Sequence, residues 1–111
     1  MINAKQLSNT FKKIRQFSFD AIFEEETTND KIFKSEIKPM TTHILNGFNA
    51  SIFAYGMTGA GKTYTMFGDL HKESDFSNPG IILQSASDLL ERLKKTDKHT
   101  VKLSYLEIYN E

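Results

Sequence analysis

Gly56-Met57-Thr58-Gly59-Ala60-Gly61-Lys62-Thr63 fits the pattern G-x-x-x-x-G-K-[ST], and its flanks decide how the chain is read. Before it, Ile52-Phe53-Ala54-Tyr55 is an apolar run without alternation, as expected of a parallel strand covered on both faces, here over residues 49–55. After it, Lys62–Phe67 predicts a short helix. Strand, glycine-rich turn and helix in that order set backbone N–H groups at a helix start, where an anion is favoured. Gly56, Gly59 and Gly61 are expected to take positive φ and turn their amides toward phosphate oxygens without a side chain in the way. Lys62 supplies a charge that reaches the β- and γ-phosphates, and Thr63 offers a hydroxyl to Mg²⁺. A glycine turn with a merely structural role has no need of Lys and then Thr at the helix start. The candidate nucleoside triphosphate site is therefore Gly56, Met57, Thr58, Gly59, Ala60, Gly61, Lys62 and Thr63, with Thr63 as the candidate metal ligand.

Further toward the N-terminus, Phe17 and Phe19 alternate around Ser18 and predict a strand ending near Asp20. Glu24, Glu25 and Glu26, followed by Thr27, Thr28, Asn29 and Asp30, supply cap residues and negative charge for a helix starting near Asn29. Phe33, Ile37, Met40 and Ile44 share one face of that helix, widened by Ile32 and Leu45, and this face is expected to pack on a sheet. Pro39 lies inside it, which costs about 3 kcal/mol in a regular helix and predicts a kink. Gly47 is the C-terminal stop.

On the other side of the glycine-rich turn, residues 68–79 are polar and read as a surface loop. Ile82, Ala86, Leu89, Leu90 and Leu93 mark a second amphipathic helix whose basic end holds Arg92, Lys94 and Lys95. Val101, Leu103 and Tyr105 alternate, then the phase shifts at Leu106 and Ile108, so the last strand is bulged or buried on both faces.

Length and composition narrow the function classes. With 111 residues the chain is long enough for one domain, and 39% hydrophobic with 25% charged residues is the balance of a globular protein. Lys+Arg 14 against Asp+Glu 14 gives zero net charge, so no global field favours nucleic acid or a membrane surface. The absence of cysteine removes disulfides and thiolate metal sites, and no run approaches a membrane span or a signal peptide. The default location is cytosolic. His43, His71 and His99 have no ligand spacing. Tyr55, Tyr64 and Met66 read as core rather than base contacts, with Tyr64 the better nucleotide-side candidate. Glu107 reads as structural, Glu24 to Glu26 as a solvated cap run, and Lys94, Lys95 and Lys98 as a solvated helix end.

FSFDAIF at 17–23, the helix carrying Pro39, GFNASIFAYGMTGAGKTYTMFGD at 47–69, GII at 80–82 and LSYLEIYNE at 103–111 resemble kinesin motor domains, in the family's order and spacing. The match covers most of the chain from Phe17 onward. Myosins and small GTPases share the phosphate cradle without the NxxIFAYG-type strand before it or the YTM after it. The resemblance implies an α/β P-loop NTPase fold, a doubly wound, mostly parallel sheet with helices on both faces. It implies ATP and Mg²⁺ as cofactors at residues 56–63, and accepts Pro39 as a family feature. Two departures stand out: Met1 to Arg15 holds no Arg-x-Arg-Pro strand, and Leu83-Gln84 replaces the Pro-Arg or Pro-Asn common after GII.

Residues 1–111 are thus expected to be one partial motor domain, short of the switch segments and the microtubule-gripping helices. Its exposed edges and apolar faces would make it poorly soluble by itself. For a complete motor the resemblance implies ATP hydrolysis coupled to movement along microtubules in the cytoplasm, with tubulin as partner. Microtubule binding is not expected of this stretch alone, whose net charge is zero. A non-catalytic nucleotide-binding fragment is the alternative from another class, and an unrelated P-loop kinase is a third.

Overall fold

The cap residues after Glu26 resolve into one working cap. Thr28 is extended (φ −78°, ψ 154°) and its Oγ1 accepts from Lys31 N–H at 3.3 Å, so that α1 (Asn29–Ile32) begins behind it. These coordinates belong to a computed structural model that describes residues 16–69, 78–95 and 99–109. The readings made on 1–15, on His71, on Lys98 and on the tip of the 68–79 loop fall outside those residues.

From Phe33 the helix widens into a π turn (Phe33–Ile37), in which Lys38 N–H bonds to the carbonyl of Phe33. Then α2 (Lys38–Leu45) continues with Pro39 in its first turn. In a regular helix the Pro39 ring would press on the carbonyl of Ser35 and give it no N–H. A wider turn just before the proline relieves that clash. The expected kink is realised as this π turn. Past the end of α2, Gly47 at φ 90° donates to Ile44 O at 2.9 Å and Phe48 N–H to His43 O at 3.1 Å. Those two bonds form a Schellman stop. The Phe48 ring meets the His43 ring edge-on at 6.1 Å, supplying the contact that accompanies such a stop.

Two more helices follow, α3 (Lys62–Phe67) and α4 (Ile81–Leu93), at the positions read from the sequence. The core is where they meet the first helix: Phe33, Ile37 and Ile81 are buried against one another, with Ile32 and Met40 packed at the margin. Phe33 and Ile37, with Ile32 and Met40, therefore pack at Ile81 of α4 where a sheet was expected, while Ile44 and Leu45 of the same stripe stay exposed. Beside this core α2 and α4 are clasped by polar groups. Thr41, 1% exposed, has its hydroxyl 2.6 Å from Asp88 Oδ2 and 2.8 Å from Lys38 O. Arg92 Nε pairs with the same carboxylate at 3.0 Å and its Nη1 donates to Thr42 Oγ1 at 2.8 Å. A buried hydroxyl facing a carboxylate that also holds an arginine leaves none of these groups unpaired.

The end of α3 crosses the start of α4 through two glycines. Gly68 (φ 91°, ψ −161°) lies in a region essentially reserved for glycine. A Cβ there would stand 2.6 Å from Asn78 O and 2.7 Å from Gly80 N. At Gly80 a Cβ would run into the Gly68 amide and the Met66 carbonyl.

Among the described residues no strand forms; one antiparallel bridge, Gly68 to Pro79, is the sole β contact. The segments expected as strands, at 17–20, 49–55 and 101–108, run without a ladder. A strand persists through hydrogen bonds to a neighbour at its edge, and these three do not pair with one another. Their apolar side chains stay exposed: Phe53 by 89%, Tyr55 by 100% and Leu103 by 93%. Tyr55 is thus not the core residue that the sequence suggests. The Cα radius of gyration, 20.5 Å, exceeds the roughly 13 Å of a compact domain this long.

The two left-handed stops differ in surroundings, which yields a graded test. At Gly47 an added Cβ meets nothing within 4 Å, so Gly47→Ala is expected to cost only the backbone term of about 1–2 kcal/mol. Gly68→Ala adds the collision with Asn78 and Gly80 and is expected to cost more, about 3 kcal/mol or above. Urea denaturation followed by far-UV circular dichroism checks the order.

Candidate phosphate-binding site

Chain direction changes at residues 56–61 through backbone geometry that differs from glycine to glycine. Gly59 and Gly61 have φ of 82° and 84° and meet nothing within 4 Å of an added Cβ, so glycine is needed there for conformation. Gly56 does not share the positive φ expected of it. A Cβ at Gly56 would lie 3.1 Å from the Ala60 Cβ, so glycine there relieves a tight contact across the turn. Ala60 N–H closes the turn onto Met57 O at 3.1 Å and so faces into the loop. Gly61 is the left-handed N-cap of α3 and has no side chain to cap with.

Lys62 follows at once. Its Nζ donates to Gly56 O and Met57 O, both at 2.8 Å, tying the entry of the turn to the head of the helix. An ammonium carries three donors, so these two bonds leave one for an anion. Thr65 N–H is the first to bond four residues back, to Gly61 O at 2.9 Å. The amides of Lys62, Thr63 and Tyr64 therefore head α3 without intrahelical acceptors.

Thr58, Gly59, Gly61, Lys62 and Thr63 line one cavity of about 340 Å³, within the usual range for small-ligand sites. Of the eight expected residues these five are brought together on the cavity. Gly56 and Ala60 shape the turn from behind, and the Met57 side chain points to solvent. Tyr64, read as core but as the better nucleotide-side candidate of the three, is not on the cavity wall; its hydroxyl accepts from Asn78 Nδ2. Met66 instead lines an apolar hollow of about 280 Å³ with Ile37 and Ile81, on the core side.

The residues present suit a magnesium-bound triphosphate. Mg²⁺ is commonly held by one or two protein oxygens with phosphates and waters, and Thr63 provides such an oxygen at the cavity. Among the described residues no group of three or more His, Asp or Glu side chains could hold a metal by itself. A larger groove of about 540 Å³ lies between α1, the π turn and α4. Lys34 and Lys38 share its wall with Asp30, Asp88 and Glu91, Lys34 being paired with Asp30 at 2.7 Å, and the three carboxylates oppose an anion.

Such a turn, fixed by left-handed glycines and a lysine at a helix head, is of the P-loop class. The family model described as kinesin motor domain matches residues 2–111. "Kinesin-like protein KIF22" of Danio rerio is 43% identical over 102 residues, covering 86% of this chain and 15% of the relative. "Kinesin-like protein KIN-8A" of Arabidopsis thaliana is 39% identical, covering 89% and 13%. "Kinesin-like protein KIP3" of Saccharomyces cerevisiae is 38% identical over 120 residues, covering 99% and 14%. The chain belongs to the kinesin motor domain family, and with it to the P-loop NTPase fold. It spans about one seventh of the length of these relatives.

One residue that bears on the site escaped the sequence reading. Asn29, read only as one of several cap residues, is 2% exposed and its Nδ2 donates to Tyr64 O at 3.0 Å. The signal was faint: four consecutive cap-type residues, Thr27 to Asp30, where a helix uses one.

Because the turn is exposed, removing the Lys62 ammonium frees two carbonyls that water can reach. Lys62→Ala is therefore expected to change fold stability by less than about 1 kcal/mol. Urea denaturation beside the unsubstituted chain measures this, and a small change licenses the variant as a binding control.

Proposed function

We propose that residues 56–63 bind the phosphates of MgATP and that this chain is the nucleotide-binding part of a kinesin motor domain. The observation that carries the reading is the cavity lined by Thr58, Gly59, Gly61, Lys62 and Thr63 at the head of α3. Lys62 would hold the β- and γ-phosphates and Thr63 the Mg²⁺, which would neutralise phosphate charge. The first-turn amides of α3 add partial positive charge aimed at the same place.

In the complete motor the bound nucleotide would be hydrolysed and the energy coupled to movement along microtubules, in the cytoplasm and on the cytoskeleton. The segments 17–20, 49–55 and 101–108 would be strands of the doubly wound, mostly parallel sheet once neighbours at their edges supply the ladder. Residues 1–111 are then one contiguous part of a single motor domain. Zero net charge supports placing the tubulin contact elsewhere in the motor.

A second reading, nucleotide binding without turnover, is favoured for this stretch by itself. Phosphoryl transfer depends on groups that position the attacking water and stabilise the transferring charge, and the described residues around the cavity include no such group beyond Lys62 and Thr63. Steady ATP turnover by the chain would exclude that reading.

Isothermal calorimetry with MgATP is expected to show one site, weakened at least roughly thirtyfold by Lys62→Ala, the scale of losing a charged hydrogen bond to phosphate. Thr63→Ala is expected to weaken MgATP more than magnesium-free ATP. Equal binding by the Lys62→Ala variant would overturn the proposal.

A further inference from the structure

We propose that Asn29 is a positioning residue for the phosphate loop, holding at Tyr64 the short helix whose head carries Lys62 and Thr63. The inference rests on the MgATP reading for its consequence, but the link itself stands on geometry.

Asn29 opens α1 but does not cap it, since Thr28 already accepts from the Lys31 amide. Its carboxamide is turned the other way and buried to 2% exposure, a placement that costs free energy unless its donor is bonded. The bond it makes is to Tyr64 O at 3.0 Å, 35 residues along the chain. That carbonyl also accepts Gly68 N–H at 2.8 Å, where α3 stops.

The helix so held is six residues long and has no side-chain cap at either end. A helix that short is unstable in isolation and takes its order from outside contacts. The contacts that hold it are the Gly68 and Gly80 crossing at its C-terminal end and the Asn29 bond to Tyr64, its third residue. The bond ties the helix to the element whose Phe33 and Ile37 form the core. A shift at Tyr64 reaches its neighbours Thr63 and Lys62 within about half a turn. Displacing groups that must meet phosphate oxygens by even about 1 Å costs affinity steeply.

The test uses Asn29→Ala and Asn29→Asp in the full chain, read by hydrogen exchange and by MgATP calorimetry. Asn29→Ala is expected to speed exchange of the α3 amides roughly five- to thirtyfold while α4 is little changed, and to weaken MgATP by a similar factor. In Asn29→Asp the carboxylate would face the Tyr64 carbonyl and repel it. Burial raises the pKa of a carboxyl group, and the protonated form regains a donor. Its affinity relative to the unsubstituted chain at the same pH is therefore expected to recover as pH falls from 7.5 to about 5. A contact that merely supports the fold would raise exchange in α3 and α4 alike and show no acid recovery; that result would overturn the inference. Unchanged α3 exchange with unchanged affinity in Asn29→Ala, while Lys62→Ala still abolishes binding, would also overturn it and leave the MgATP reading standing. If no chain binds MgATP, the nucleotide reading fails, and the exchange pattern alone decides whether Asn29 holds α3.

Discussion

Ile81 stands between Phe33 and Ile37 because Gly80, its neighbour, can pass against Gly68 with no Cβ on either. One point of contact thereby joins three helices: the long first one, the short one after the glycine-rich turn, and α4. A methyl group on either glycine would separate α3 from α4 and withdraw Ile81 from the core. The Thr41, Asp88 and Arg92 cluster sits alongside and fixes the angle between α2 and α4 through groups that cannot be left unpaired. With so few apolar side chains buried among the described residues, these backbone and polar constraints carry much of the specificity of the arrangement.

The phosphate loop inherits its position from that contact. Its own shape comes from left-handed glycines at 59 and 61 and from the Lys62 ammonium bridging Gly56 and Met57 carbonyls. Nothing in those local bonds says where the loop sits in the molecule. Position is set within α3, where Tyr64 O receives both Asn29 and Gly68. A short helix held between a polar grip and a glycine crossing would transmit displacement, so on the proposed reading the site would respond to residues that do not touch the nucleotide.

Much of this was legible in the sequence, for local reasons. Lys62–Phe67, Ile81–Leu93, the start near Asn29 and the stop at Gly47 each follow from caps, spacing or a glycine within a few residues, and the structure places them so. Pro39 announced a distortion, though the remedy, a π turn, is a choice between ways of sparing one carbonyl. The strand readings fared differently because a strand's stability lies in its neighbour: Ile52 and Leu103 show the right composition, yet pairing is a property of two segments. Gly56 was legible as a glycine but not in its role, since positive φ and close approach leave the same letter. Asn29 was hidden because a cap-type residue beside another cap-type residue has no pattern of its own. Family membership was carried by the contiguous run from Gly47 to Asp69, where the phosphate pattern and its flanks come together.

On the proposed reading residues 56–63 would hold a magnesium triphosphate through backbone shape and one ammonium. Phosphorus NMR of MgATP titrated with the folded chain tests it at the atoms concerned. The account predicts saturable shifts of the β- and γ-phosphorus resonances that vanish when Lys62 is replaced by Ala. Resonances unmoved by the chain, at concentrations where circular dichroism shows its helices intact, would contradict it.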